Sequence, residues 1–164
     1  MVVRRHCSSA PFKWFAIPVA IAISQAQYSS AATFVSDTYA GVGFGHFNYR
    51  GHWEHVRSRL DGRILGTSSR SATPGSTVTF SFFGDFVHVY GVRGPGGGRG
   101  AVTLDGKRYP DIDFYSATKQ PHSLVFDSLL LRRGVHILTI AVIGDVRAPG
   151  HHSSYINISG AIYI

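Results

Sequence analysis

Apolar and polar residues alternate in short runs along this chain, with a period of two. In Thr77-Val-Thr-Phe-Ser-Phe-Phe83, Val78, Phe80 and Phe82 fall on one face and Thr77, Thr79 and Ser81 on the other, as in a half-buried β-strand. The run begins after Pro74-Gly75 and stops at Gly84-Asp85. Phe86 to Tyr90 repeats the pattern, and a loop rich in glycine leads to a further run from Ala101 to Asp105. Asp105-Gly106 is a two-residue hairpin signal into Lys107 to Tyr115. These four runs predict an antiparallel meander. Ser123 to Phe126 predicts another strand, and His136 to Ile143, apolar on both faces, predicts a central one. The last run, Tyr155 to Ile164, is interrupted at Gly160, where a bulge is expected. Short strands separated by turn chemistry imply an all-β fold, an antiparallel β-sandwich or jelly roll.

The first residues break this pattern. Arg4, Arg5 and Lys13 flank an apolar stretch, Trp14 to Ile23, followed by small residues at Ser24-Gln-Ala26 and Ser30-Ala-Ala32. This is the layout of an export signal, and the stretch is about half of the roughly 20 residues a membrane-crossing helix needs. Residues 1–32 are therefore read as a signal peptide or signal anchor, and residues 33–164 as one secreted β-sandwich domain that keeps no stable membrane span after cleavage. Cys7 lies before the apolar stretch, so the exported part has no cysteine and holds together by packing alone. At 44% hydrophobic and 13% aromatic residues, 164 residues suffice for that.

Charge narrows the function classes. The formal net charge is +7, but removal of Arg4, Arg5 and Lys13 leaves thirteen basic residues against nine acidic. They form no basic run and no reader helix, so nucleic acid is not an expected partner. Most carboxylates stand in turn pairs such as Asp61-Gly62, Gly84-Asp85 and Gly144-Asp145, where a short acceptor bonds nearby backbone. Asp111 and Asp113, two apart on a strand, share a face and are the one pair an enzymatic reading could use. There is no G-x-S-x-G, H-E-x-x-H or phosphate-loop motif, and His151-His152 lacks the companions of a zinc site. Asn157-Ile-Ser159 has the form of a glycosylation sequon in the final strand.

The segment from Val89 to Asp105 carries six glycines around Arg93, Pro95 and Arg99. Glycine takes positive φ freely and admits another molecule close to the backbone, which suits a loop that holds a ligand. Sugar recognition needs a flat ring to stack on a pyranose and fixed polar groups for its hydroxyls. Trp53, Tyr90 and Tyr115 are candidate rings here; Arg93, Arg99 and Asp113 are candidate polar partners. Together these six form the expected ligand site.

From Gly51 to Ile164 an ordered series of short motifs follows. They are Gly51-His-Trp53, Gly66-Thr-Ser-Ser-Arg-Ser71, Phe80-Ser-Phe82 with Gly84, and Tyr90-Gly91 through Gly94-Pro95 to Gly100. After them come Val102-Thr-Leu-Asp105-Gly106, Asp113-Phe-Tyr115-Ser116 and Gly134-Val-His136-Ile-Leu138. The series resembles secreted β-sandwich modules with a galactose-binding-domain-like jelly roll, similar to carbohydrate-binding modules of bacterial exported proteins. The resemblance implies a non-catalytic extracellular carbohydrate-binding or adhesion module, partnered by a glycan or cell-surface polysaccharide. The alternative is a structural or protein-interaction module of the cell envelope or extracellular matrix, partnered by an envelope protein. Such modules usually carry an aspartate in the closing strand; Ser159-Gly160 stands there instead, which argues against a structural calcium, and no cofactor is expected.

Overall fold

A computed structural model describes residues 31–60, 63–144 and 154–164; most of the proposed leader, Asp61-Gly62 and His151-His152 lie outside them. Among the described residues the chain forms β1 (Thr33–Ser36), β2 (His46–Arg50), β3 (Glu54–Leu60), β4 (Arg63–Ser71), β5 (Thr77–Gly84), β6 (Val87–Arg93), β7 (Arg99–Leu104), β8 (Lys107–Asp113), β9 (Gln120–Asp127), β10 (Gly134–Val142) and β11 (Ile156–Tyr163). They build two antiparallel sheets. The first runs β3-β4-β11-β6-β9, with β1 paired to the second half of β11; the second runs β2-β5-β10-β7-β8. The expected β-sandwich is what the chain makes.

The alternating runs supply the core between the sheets. Val78, Phe80 and Phe82 of β5 and Leu138, Ile140 and Val142 of β10 meet Val87 and Val89 of β6 and Ile156 and Ile158 of β11; none is more than 3% exposed. Each such side chain stabilises the fold by roughly 1.5–3 kcal/mol relative to exposure. β10 is central in its sheet, as its apolar run predicts, yet its second face is open: Val135 and Ile137 are about half exposed.

The meander is corrected. β5 and β7 lie in the second sheet and β6 in the first, so between β5 and β8 the chain crosses between layers twice and, of those three connections, only β7–β8 is a hairpin. At the first crossing Gly84 sits where a Cβ would fall 2.0 Å from the carbonyl oxygen of Ile164, which accepts the Asp85 amide at 2.7 Å. No larger residue fits that corner. The hairpin itself turns on Asp105 (φ 52°) and Gly106 (φ 76°), the two left-handed residues of a type I′ turn. In β11 the register against β6 shifts between Ile158 and Gly160, the expected bulge.

Candidate functional site

The order β4-β11-β6 brings distant parts of the chain together at one end of the first sheet. Arg70 of β4 lies opposite Asn157 of β11, and β6 runs alongside β11 to end at Arg93, opposite Gln120 of β9. Their neighbours Ser69, Ser71, Ile156 and Ile158 are buried, so Arg70 and Asn157 belong to the outer face. There they line a recess of about 210 Å³ with Arg93, Lys119 and Tyr155, beneath the turn Gly94–Gly97.

Each charge in the recess has a different status. Glu54, across from Arg70 on β3, accepts from Arg70 Nε at 2.9 Å and Nη2 at 2.8 Å, and the guanidinium lies 4.6 Å from the centre of the Tyr155 ring. Arg70 is thereby neutralised and fixed. Arg93 and Lys119 have no carboxylate partner among the described residues, and no acidic residue lines the recess. Arg93 Nε is buried without a hydrogen-bond acceptor and Asn157 Oδ1 without a donor. Leaving such a group unsatisfied costs about 1–3 kcal/mol. Both atoms are closed off from solvent, so it is the remaining, accessible parts of the Arg93 and Asn157 side chains that line the recess.

The glycine loop serves this site in an unexpected way. None of Gly91, Gly94, Gly96, Gly97, Gly98 and Gly100 has positive φ. Their requirement is proximity to the protein's own backbone: a Cβ on Gly97 would lie 1.9 Å from Phe114 O, and one on Gly98 2.4 Å from Ser154 O. The Gly97 amide donates to Gly94 O at 2.9 Å, closing a turn with Pro95 at its second position. Gly94 donates to Phe114 O, Gly98 donates to Tyr155 O, and Gly96 O accepts from the Tyr155 amide. The loop is strapped to both sheets.

The six residues read from the sequence divide among several places. Arg93 lines the recess. Arg99, Asp113 and Tyr115 gather on the far side of the turn: Arg99 is opposite Asp113, and Asp113 Oδ1 accepts the Tyr115 amide at 2.9 Å. Tyr90 lies mid-strand on the outer face of the first sheet, between Gly160 and Leu124. Trp53 packs against the core edge, its ring 4.9 Å from Tyr49 and its indole N–H donating to Arg50 O at 3.0 Å. Asp111 is held by Arg99 at 3.0 Å and by Arg108, and neither it nor Asp113 lines the recess.

Two polar clusters, one buried and one at the β7–β8 turn, account for further titratable groups. Asp37, fully buried, accepts from Thr67 Oγ1 at 2.5 Å and Ser69 Oγ at 2.7 Å, tying the segment after β1 to β4. Ser69 spends its hydrogen on Asp37, so His55 Nδ1, at 2.7 Å, donates to Ser69. The serine side chain is fully buried between these partners. Nearby, burial and then the charge of Asp37 push the Tyr49 phenol well above its ordinary value, against a hydrogen bond with Ser69 that lowers it. In the second cluster His136 Nδ1 meets Asp105 Oδ2 at 2.7 Å and His136 Nε2 meets Arg132 O at 2.9 Å. Burial alone would lower the imidazole pKa, but these contacts outweigh it and raise it. The same pairing, with the Ile137 amide, holds the Asp105 carboxyl low against its own desolvation.

No protein-family model matches the chain, and no curated protein matches it in sequence. Among solved structures, the sandwich is similar to part of the insecticidal crystal protein Cry2Aa, at a TM-score of 0.51 and 13% identity over 81% of this chain and 21% of that one. The CBM36-1 domain of a multidomain xylanase from the hindgut metagenome of Trinervitermes trinervoides aligns at 0.47 and 10% identity, over 80% of this chain and 95% of the other. A family two carbohydrate esterase from Cellvibrio japonicus aligns at 0.48 and 14%, over 81% of this chain and a third (33%) of the esterase. Carbohydrate-binding modules and domains of carbohydrate-active enzymes stand among the solved structures it aligns with. The likeness is one of fold.

Proposed function

We propose that this protein is an extracellular, non-catalytic carbohydrate-binding module that grips a sugar in the recess between Arg70, Arg93, Lys119, Tyr155 and Asn157. The observation that carries this reading is one small recess lined together by Arg93 and Lys119, which have no carboxylate partner among the described residues, by the Asn157 amide and by the Tyr155 ring. A sugar hydroxyl is both acceptor and donor, and vicinal hydroxyls present the two functions side by side. Pro95, Val92 and the Tyr155 edge supply apolar surface for the C–H bonds of a ring. The export signal read at residues 1–32 supports a place outside the cell.

A glycan array with the wild type, Asn157→Ala and Arg93→Ala tests this. The wild type binds a defined set of glycans, Asn157→Ala weakens binding about fivefold, and Arg93→Ala by tenfold or more, as loss of a neutral and of a charged hydrogen bond imply. A blank array for the wild type removes the reading.

A second reading, a protein-contact module, draws on the outer face of the second sheet. Phe83 of β5 and its register partner Val135 of β10, with Ile137 two residues on, are 51%, 56% and 49% exposed. An apolar cluster of that kind fits a protein surface. Recovery of one stoichiometric envelope protein, lost in Val135→Lys, together with a blank array, would favour it.

A further inference from the structure

The charge arrangement in the recess narrows the sugar to a class. Arg70 is compensated by Glu54, whereas Arg93 and Lys119 face the same space without a counter-charge, and no acidic residue lines it. A guanidinium and an ammonium with no carboxylate partner, side by side in one recess, suit the oxygens of a carboxylate or sulfate. The Asn157 amide, which also lines the recess, is neutral and suits a hydroxyl instead. The two requirements are met on one ring that carries an anionic substituent and, beside it, a free hydroxyl. A recess of about 210 Å³ takes a single ring, not a long stretch of polymer. Neutral sugars satisfy Asn157 but leave two cations uncompensated.

Resting on the carbohydrate-binding reading above, we infer that the recess selects an acidic sugar residue, with the anion against Arg93 and Lys119 and a neighbouring hydroxyl on Asn157. A uronic acid and a sulfated sugar both present this chemistry.

Isothermal titration against four polymers separates the possibilities: polygalacturonate, the same polymer with its carboxyls reduced to alcohols, a sulfated galactan, and neutral xylan. The protein panel is the wild type, Lys119→Ala, and Lys107→Ala, which removes an exposed cation at the β7–β8 hairpin remote from the recess. Polygalacturonate is expected to bind about tenfold more tightly than its reduced form. Lys119→Ala removes most of that preference, Lys107→Ala changes affinity less than about twofold, and raising salt from about 50 to about 500 mM weakens the acidic ligand selectively. Equal dependence on Lys119 with the sulfated galactan supports the inference with sulfate as the anion. Equal affinity for the reduced and unreduced polymers overturns the acidic class while the sugar-binding reading stands. If Lys107→Ala loses as much as Lys119→Ala, the attraction is diffuse charge and the inference fails. If no polymer binds, both readings fall.

Discussion

Replacing Gly97 by alanine tests how the recess is built. The new methyl group would sit 1.9 Å from Phe114 O, 2.2 Å from Phe114 C and 2.6 Å from the Tyr115 nitrogen. Ordinary contact begins near 3.4 Å, so about 1.5 Å of separation must be found, and the obstacle is backbone instead of a side chain that could swing away. The Phe114 ring is fully buried, so moving its backbone disturbs the core. Three hydrogen bonds are at risk: Gly94 N to Phe114 O at 3.1 Å, Phe114 N to Gly98 O at 2.9 Å, and Ser116 N to Gly94 O at 3.1 Å. At about 1 kcal/mol each, plus about 1–3 kcal/mol for overpacking, the loss is roughly 4–6 kcal/mol. That is a large part of the 5–15 kcal/mol typical of a domain. Thermal unfolding followed by circular dichroism should show the midpoint falling by more than about 10 °C. Gly106→Ala provides the contrast, since Gly106 has φ 76° and nothing within 4 Å of its missing Cβ. Only the left-handed backbone penalty applies there, about 1–2 kcal/mol. A Gly97→Ala protein as stable as wild type, or more stable than Gly106→Ala, would refute the close strapping of the loop.

Trp53→Ala removes a half-buried ring and its bond to Arg50 O, so it should cost about 1.5–3 kcal/mol in urea unfolding and change glycan affinity less than twofold; a selective loss of binding would restore Trp53 to the ligand site. The Asp105–His136 pair makes stability pH-dependent. His136 contributes fully below its unfolded value near 6.5 and loses that contribution as pH rises through its raised native value. Asp105 contributes above its unfolded value near 3.8 and loses it as pH falls through its lowered native value. Asp105→Asn, which keeps the turn, should therefore destabilise most between about pH 4 and 6.5, with the gap narrowing toward pH 9; a gap constant across that range would refute the pairing. Deleting residues 155–164 removes a strand that pairs with β1, β4 and β6, and no cooperative transition should remain. An unchanged melting curve would show the sheet order to be wrong.

The parts of the fold that were legible in the sequence are those whose pattern records burial directly. Thr77 to Phe83 alternates because one face meets the core, and Asp105-Gly106 marks a turn because few pairs tolerate two left-handed residues. β1, β2 and β3 went unread. β2 and β3 are edge strands, β1 covers only part of β11, and Glu54-His-Val-Arg-Ser-Arg-Leu60 carries polar residues at most positions. Which sheet a strand joins was also illegible, since Phe86 to Tyr90 looks the same in either layer. The glycines of the 91–100 segment marked an exceptional loop, but composition does not distinguish left-handed backbone from close approach. The recess was the least readable feature. Arg93 was singled out, whereas Arg70, Lys119 and Asn157 are separated in sequence and meet because β11 inserts between β4 and β6. Asn157 drew notice only as part of a sequon. The usable signal was Arg70 and Asn157, each a polar residue flanked on both sides by buried positions in a strand.

The most direct test of where this protein holds its ligand is an NMR titration that follows the Arg93 Nε–H and the Trp53 indole N–H together while trigalacturonate is added. Ligand in the recess lies against the Arg93 side chain, so that resonance should shift in a saturable way while the Trp53 signal, bonded to Arg50 O, stays in place. A saturable shift at Trp53 with Arg93 unmoved would place the binding surface elsewhere on the sandwich and contradict the assignment of the recess.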